Sequence, residues 1–213
     1  MIVFELNGNT EGHPVYRELE VANAARQMSF LESMVTASLK MGRPFLSQQI
    51  IKALNYHAIT CLHVSAGEYR PCAVEVGKYI PPMFWQVQSL MDDMVNMVNR
   101  SWIETDPIAL ASFVLWRLNH IHPFINGNGR TARVTAYYVI CMKAGRLLEG
   151  SPTLPELLKR ERDRYVLALE AADASLLSPS GLDFSQLHSL VDELMQEQLG
   201  ISNPAARSDE PSL

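Results

Sequence analysis

Two stretches of this chain, Ile108–Ile121 and Val134–Met142, are apolar on nearly every side of a helix, and a Gly- and Asn-rich connection separates them. A helix without a polar face must be covered all round. The pair is therefore expected back to back at the centre of one core. Asp106-Pro107 offers a cap and a proline at the first helical position for the first stretch. Pro123 disfavours helical geometry at His122, so that helix should finish near Ile121, and Gly145 should end the second. No window approaches the roughly 18 uninterrupted apolar residues of a membrane span.

Around this pair the periodicity predicts amphipathic helices. Arg17–Lys40 carries Leu19, Ala22, Met28, Leu31, Met34, Val35 and Leu39 near helical spacing and stops at Gly42 and Pro44. Ser47 caps a second helix, faced by Ile50, Ile51, Leu54, Ala58 and Cys61 and running to about His63. Glu68 to Ile80 alternates, with Tyr69, Val74 and Val76 between polar partners and a turn at Gly77, which predicts a short hairpin that must lean on helices. Pro81 and Pro82 suit the first turn of a helix striped by Val87, Leu90, Met91, Met94, Val95 and Val98. Leu154–Ala172 reads as one helix whose Lys159, Arg160, Arg162 and Arg164, interleaved with Glu161 and Asp163, form a solvated face. Asp183 caps a last helix ending near Gly200, and a polar tail follows. The fold class is mostly α with one small β-hairpin.

Composition narrows the function classes. Hydrophobic residues make up 47% of the chain and charged residues 19%, which suits a globular protein with a sizeable core. A net charge of −5 argues against a nucleic-acid or anionic-membrane partner, and with it against a helical transcription regulator. Cys61, Cys72 and Cys141 fit neither a disulfide framework nor a zinc site, and His120 with His122 lacks the further ligands a zinc ion needs. The N-terminus, Met1 to Asn9, has no basic segment followed by an apolar one, so a cytoplasmic address is expected; an effector secreted into another cell would look the same.

The chemistry concentrates in the connection, His122-Pro123-Phe124-Ile125-Asn126-Gly127-Asn128-Gly129-Arg130-Thr131-Ala132-Arg133. Gly127 and Gly129 allow positive φ or close backbone approach, and successive N–H groups beside a helix start form a concave anion site. Arg130 and Arg133, at i and i+3, share a face of the next helix and can reach one ligand. Two guanidiniums beside a helix N-terminus call for phosphate. An imidazole can accept a proton from a hydroxyl near neutral pH. Base and anion clamp together point to phosphoryl or nucleotidyl transfer. The Gly127-x-Gly129-x-x-Ala132 spacing imitates a dinucleotide fingerprint, but a helix rather than a strand precedes it, and no GxxxxGK[ST] loop occurs.

This stretch resembles the signature of the Fic (Fido) family, HPFx[D/E]GNGRxxR, and departs from it only at Asn126. Asp106-Pro107-Ile108 with Ala109-Leu110-Ala111 resembles the helix entering the family's loop, and Gly67-Glu68-Tyr69-Arg70 through Val74 to Pro81-Pro82 resembles its β-hairpin flap. The resemblance implies a Fic-type helical core that binds ATP with Mg²⁺ and transfers AMP to a hydroxyl of a target protein. His122 would be the general base. Phe124 would anchor the loop, Gly127, Asn128 and Gly129 would supply the anion nest, Arg130 would hold the α/β-phosphates and Arg133 the outer phosphate. The flap at Glu75 to Tyr79 would align an extended segment of the target by strand addition. The expected organisation is an N-terminal extension and helix over 1–44, the core over 45–175 with flap 67–82 and signature loop 122–133, a C-terminal helix over 176–200, and a flexible tail over 201–213.

Asn126 stands where the family places a carboxylate that helps hold Mg²⁺. An amide oxygen brings no charge, so the metal should be weakly held. Three outcomes follow from the departure: a weaker AMP transferase, transfer from a different phosphate donor, or a regulatory module that binds nucleotide without turnover. Many members also carry an inhibitory [S/T]xxxE[G/N] helix whose glutamate pairs with the second motif arginine, here Arg133. Glu11 and Glu193 sit in partial matches, and a small antitoxin-like partner is the alternative source of inhibition.

Overall fold

The computed structural model describes residues 12–42, 45–179 and 181–201. Within them lie eight α-helices: α1 Pro14–Met41, α2 Gln48–Ile59, α3 Val87–Arg100, α4 Pro107–Ile121, α5 Asn128–Ala144, α6 Leu154–Arg160, α7 Arg162–Ser175 and α8 Ser185–Gln198. Helices α4 and α5 pack on one another at the centre, α5 resting also on α1, α2 and α6, and α4 on α3, α7 and α8. Val134 to Met142 is an unbroken buried run, and α4 buries Leu110, Ala111, Val114, Leu115, Trp116, Leu118 and Ile121. The all-round apolar character of both segments thus has its cause in this central position. No described helix is long and apolar enough to cross a membrane.

The caps fall where the sequence puts them. Asp106 Oδ1 accepts from the N–H groups of Ile108 (3.0 Å) and Ala109 (2.9 Å), and Ser47 Oγ accepts from Ile50 N–H (3.2 Å). Gly42 and Gly145 close α1 and α5 in left-handed geometry. Glu11 and the segment 202–213 lie outside the described residues.

Several expectations change. The long helix over Leu154–Ala172 breaks at Glu161, whose ψ of 33° departs from helical geometry, into α6 and α7. Its basic residues do more than meet solvent: Arg160 and Arg164 each grip a glutamate of α8, Glu197 and Glu193, with paired bonds of 2.7–2.8 Å. Pro81 and Pro82 precede α3 rather than start it, because a 3-10 turn at Phe84–Gln86 intervenes. α2 ends at Ile59 rather than His63. The last helix starts at Ser185 with Phe184 as its N-cap, so Asp183, whose Oδ1 accepts from Ser185 N–H, lies one position outside the observed cap.

Helix α1 begins at Pro14 and buries a face rotated from the expected one. Tyr16, Asn23, Gln27, Leu31, Val35 and Ser38 are covered, whereas Ala22 is exposed. The amides set this rotation: Asn23 Nδ2 donates to Thr60 O (2.8 Å) and Gln27 Nε2 to Leu54 O (2.9 Å), both from α2 or its end. The segment 68–82 holds no extended strand among the described residues. Tyr69 bridges antiparallel to Phe124, and Val76 and Tyr79 exchange both backbone bonds at 3.0 Å around Gly77-Lys78. A ribbon of one bonded pair is all the hairpin that forms here, and it leans on α4 as an isolated ribbon must.

Candidate active site

The connection between α4 and α5 is built from the end of one buried helix and the start of another. His122 closes α4 in left-handed geometry (φ 50°, ψ 59°), its N–H still donating to Leu118 O at 3.0 Å. Pro123 behind it forbids further helix, and the reversal carries the imidazole to the mouth of α4. Burial pushes the His122 ring down to about 4, against a hydrogen bond to the Asn119 backbone that favours the charged form, and the nearby Arg70 guanidinium lowers it further. The ring is therefore neutral at physiological pH, the form a general base requires.

The loop that follows is held by side chains bonding to main chain. Asn128 clamps Phe124 from both sides, its Oδ1 accepting from Phe124 N–H (2.9 Å) and its Nδ2 donating to Phe124 O (2.8 Å). The Phe124 ring is fully buried beside Tyr69. The side chains of Phe124 and Asn128 thus shape the loop from within. Gly127 is left-handed (φ 77°), and a Cβ there would lie 2.7 Å from Ile59 Cγ2, so glycine is required on both counts. Gly129 differs: it is helical, and a Cβ would meet only Arg133 Nη1 at 3.4 Å.

Asn55 of α2 is a hub that sequence reasoning missed. Fully buried, it donates to Asn126 O (2.9 Å) and Thr131 Oγ1 (3.2 Å) and accepts from Gly67 N–H (3.0 Å). The available signal was an asparagine amid the apolar face Ile51, Leu54 and Ala58. Arg70 was also missed as more than part of a flap pattern. Its buried guanidinium donates to the carbonyls of His122, Cys72, Pro82 and Ile121. At the flap tip the Tyr79 ring turns inward: its hydroxyl donates to His120 O (2.8 Å), while His120 Nδ1 meets Asp173 Oδ1 at 2.7 Å and Trp116 Nε1 donates to the same oxygen at 2.9 Å.

The start of α5 presents donors suited to an anion. The N-cap of α5 is Gly127, so no side chain caps the leading N–H groups of that helix. Arg130 donates to Ala58 O (3.0 Å) and Asn126 Oδ1 (3.1 Å) and pairs with Glu20 of α1 at 3.2 Å. Burial weakens the hold of Arg133 on its proton, with Arg130 and Arg162 adding repulsion. Arg133 has no hydrogen-bond acceptor or ion-pair partner among the described residues, and a desolvated guanidinium next to an uncapped helix start fits phosphate oxygens. The fit to a metal ion is poorer. Asn126 Oδ1 already accepts from Gly127 N–H (2.6 Å) and from Arg130, and no group of three or more His, Cys, Asp or Glu able to hold a metal lies among the described residues. Glu193 is taken by Arg164 rather than Arg133, whereas Glu20, outside either partial inhibitory match, pairs with Arg130.

The Fic/DOC family model matches residues 45–140. A Drosophila erecta protein named protein adenylyltransferase Fic is 33% identical over 117 residues, which is 54% of this chain and 22% of that relative. This chain therefore spans about a fifth of the relative's length. Among solved structures, a Fic domain-containing signaling protein from Bacteroides thetaiotaomicron aligns with a TM-score of 0.66 at 21% identity, over 99% of this chain and 81% of that one. A fragment of Fic-1 from C. elegans gives 0.65 at 23% identity, over 98% and 58%. At these identities the structural likeness speaks to fold alone.

Proposed function

From a chain whose residues 45–140 belong to the Fic/DOC family, we propose a protein adenylyltransferase that moves AMP from ATP to a side-chain hydroxyl of another protein. The neutral ring of His122 takes the proton of the target hydroxyl. The hydroxyl oxygen bonds to the α-phosphorus, the bond from that phosphorus to the bridging oxygen breaks, and pyrophosphate departs. The leading N–H groups of α5 and the guanidiniums of Arg130 and Arg133 hold the phosphates and meet the charge that develops on them. Any Mg²⁺ would be held chiefly by the phosphate oxygens, because Asn126 brings no negative charge and its Oδ1 is already engaged. The target lies along the flap beside Glu75 to Tyr79.

One observation carries the reading: an uncapped helix start flanked by an unengaged Arg133, following directly on a loop that opens with a neutral histidine. The test is ATP labelled at the α- or the γ-phosphate, incubated with the protein and a lysate. Retention of the α label alone, lost in His122→Ala, supports AMP transfer; γ label on protein, or label indifferent to His122, refutes it. A second reading, nucleotide binding without turnover, is favoured by one contact, the engagement of Asn126 Oδ1 by Gly127 and Arg130. Saturable ATP binding with no label in any protein would select it.

A further inference from the structure

Among the described residues, Arg70 is the one charged side chain in the buried class, at 2% exposure. A guanidinium taken out of water costs several kcal/mol unless its donors are met. Here no carboxylate meets them. Nε donates to His122 O at 2.8 Å, Nη1 to Cys72 O at 3.0 Å, and Nη2 to Pro82 O and, at 3.4 Å, to Ile121 O. The backbone N–H of Arg70 adds a bond of 2.8 Å to Pro123 O. Three consecutive carbonyls, those of Ile121, His122 and Pro123, therefore accept from one residue.

The middle of the three belongs to a strained turn. His122 and Cys61 are the two non-glycine residues with positive φ among those described, and such a conformation costs on the order of 1 kcal/mol or more. It persists only where surroundings fix it. Arg70 fixes the carbonyl side of His122, and through Cys72 and Pro82 it ties the same turn to both legs of the flap.

We propose that Arg70 is a positioning residue for the transfer reaction: by gripping the carbonyls of residues 121 and 122 and both legs of the flap, it holds the His122 imidazole in register with a hydroxyl docked on that flap. Arg70 touches neither nucleotide nor target in this account and acts through the His122 backbone. A staple that served folding alone would change stability and leave the turnover of folded protein intact. A positioning staple must also lower kcat, since misplacing a base by about 1 Å costs on the order of 100-fold.

The inference rests on the transfer reading, so the experiment separates the two. Arg70→Gln and Arg70→Lys are compared with wild type for helical circular dichroism, KM for ATP and kcat. Expected is a fall in kcat on the order of 100-fold for Arg70→Gln with KM for ATP within about threefold. Arg70→Lys, which keeps the charge but loses the planar fork that spans these carbonyls, should recover a few-fold of that loss. A kcat within about threefold of wild type in folded Arg70→Gln, or no recovery in Arg70→Lys, overturns the proposal. Hydrogen exchange in the wild-type protein decides the matter if the variants do not fold or if no transfer occurs at all, the latter refuting the transfer reading by itself. Expected is an Arg70 Nε–H protected to the same extent as Phe124 N–H. Rapid exchange of Nε–H beside a protected Phe124 overturns the role.

Discussion

The connection from His122 to Gly127 and the flap from Arg70 to Pro82 are both irregular, yet they are held in opposite ways. In the connection, the side chains of Asn55, Asn128 and Asn126 satisfy main-chain groups of Phe124, Asn126 and Gly127. The flap has its Val76–Tyr79 pair, Arg70 at its base and Tyr79 at its tip, while Ile80, Met83 and Trp85 beside it are well exposed. A segment that must present one geometry to an unvarying ligand gains from internal restraint, because ordering costs are met in folding rather than in binding. A segment that accepts extended chain from a partner can leave apolar surface and backbone groups for the partner to cover.

The contrast is open to four measurements. The largest effect is expected from a methyl group. Gly127→Ala meets both a left-handed φ and the contact with Ile59, so it should lower unfolding free energy by about 4 kcal/mol. Gly77→Ala has a φ of 60° but open space around it, and about 1 kcal/mol should be lost. Equal shifts of the urea midpoint for the two variants would erase the distinction.

Acid titration probes the loop next. His122 stays neutral down to about pH 4 when folded, against 6.5 as a free group, so the unfolded chain binds the extra proton between those values. The stability this residue contributes should be full above pH 6.5 and lost as pH falls toward 4, by up to about 3 kcal/mol in the difference between wild type and His122→Gln. Phosphates bound in the nest favour imidazolium, so the acid limb of kcat should lie above that of kcat/KM. Identical limbs would mean that the ring does not face the nucleotide.

A smaller loss, about 2 kcal/mol, is expected when Asn128→Ala strips two bonds from the buried Phe124 backbone. Tyr79→Phe, which removes the part-buried hydroxyl contacts of the flap tip with His120, should lose less than half as much, both read from thermal melts. The smallest stability change belongs to Glu20→Gln. Its pair with Arg130 is partly exposed, so melting should shift by less than about 1 kcal/mol. Transfer activity should nonetheless rise about threefold as Arg130 is released to the phosphates, the net worth of a partly exposed ion pair being below about 1 kcal/mol. A fall in activity would make Glu20 a support of the site.

The central pair α4 and α5 was legible because it rests on short-range rules: all-round apolar composition, a proline after His122, and the Asp106, Ser47 and Gly145 caps. The residues of the loop could be singled out for a similar reason, since glycine, arginine and histidine at close spacing suggest a chemistry without reference to any distant contact. The rotation of α1, by contrast, turned on Asn23 and Gln27 finding carbonyls of α2. Glu20 could be connected with Arg130 only once that rotation was known. The hairpin was over-read because alternation specifies a half-buried surface, whereas the number of ladder bonds depends on what the ribbon rests against.

The sequence by itself determined which two helices lie at the centre, where they begin and end, and that a histidine, two glycines and two arginines gather where one helix gives way to the other. Caps, proline geometry and helical periodicity act within a few residues, so they can be read along the chain. Only the tertiary structure decided that Asn55 braces the loop, that Arg70 grips His122 from the flap, and that Asn126 spends its oxygen on Gly127 and Arg130. Those bonds join backbone carbonyls and amides that every residue carries alike, so which of them a distant side chain reaches is fixed by how the helices cross and leaves no mark in the order of the amino acids.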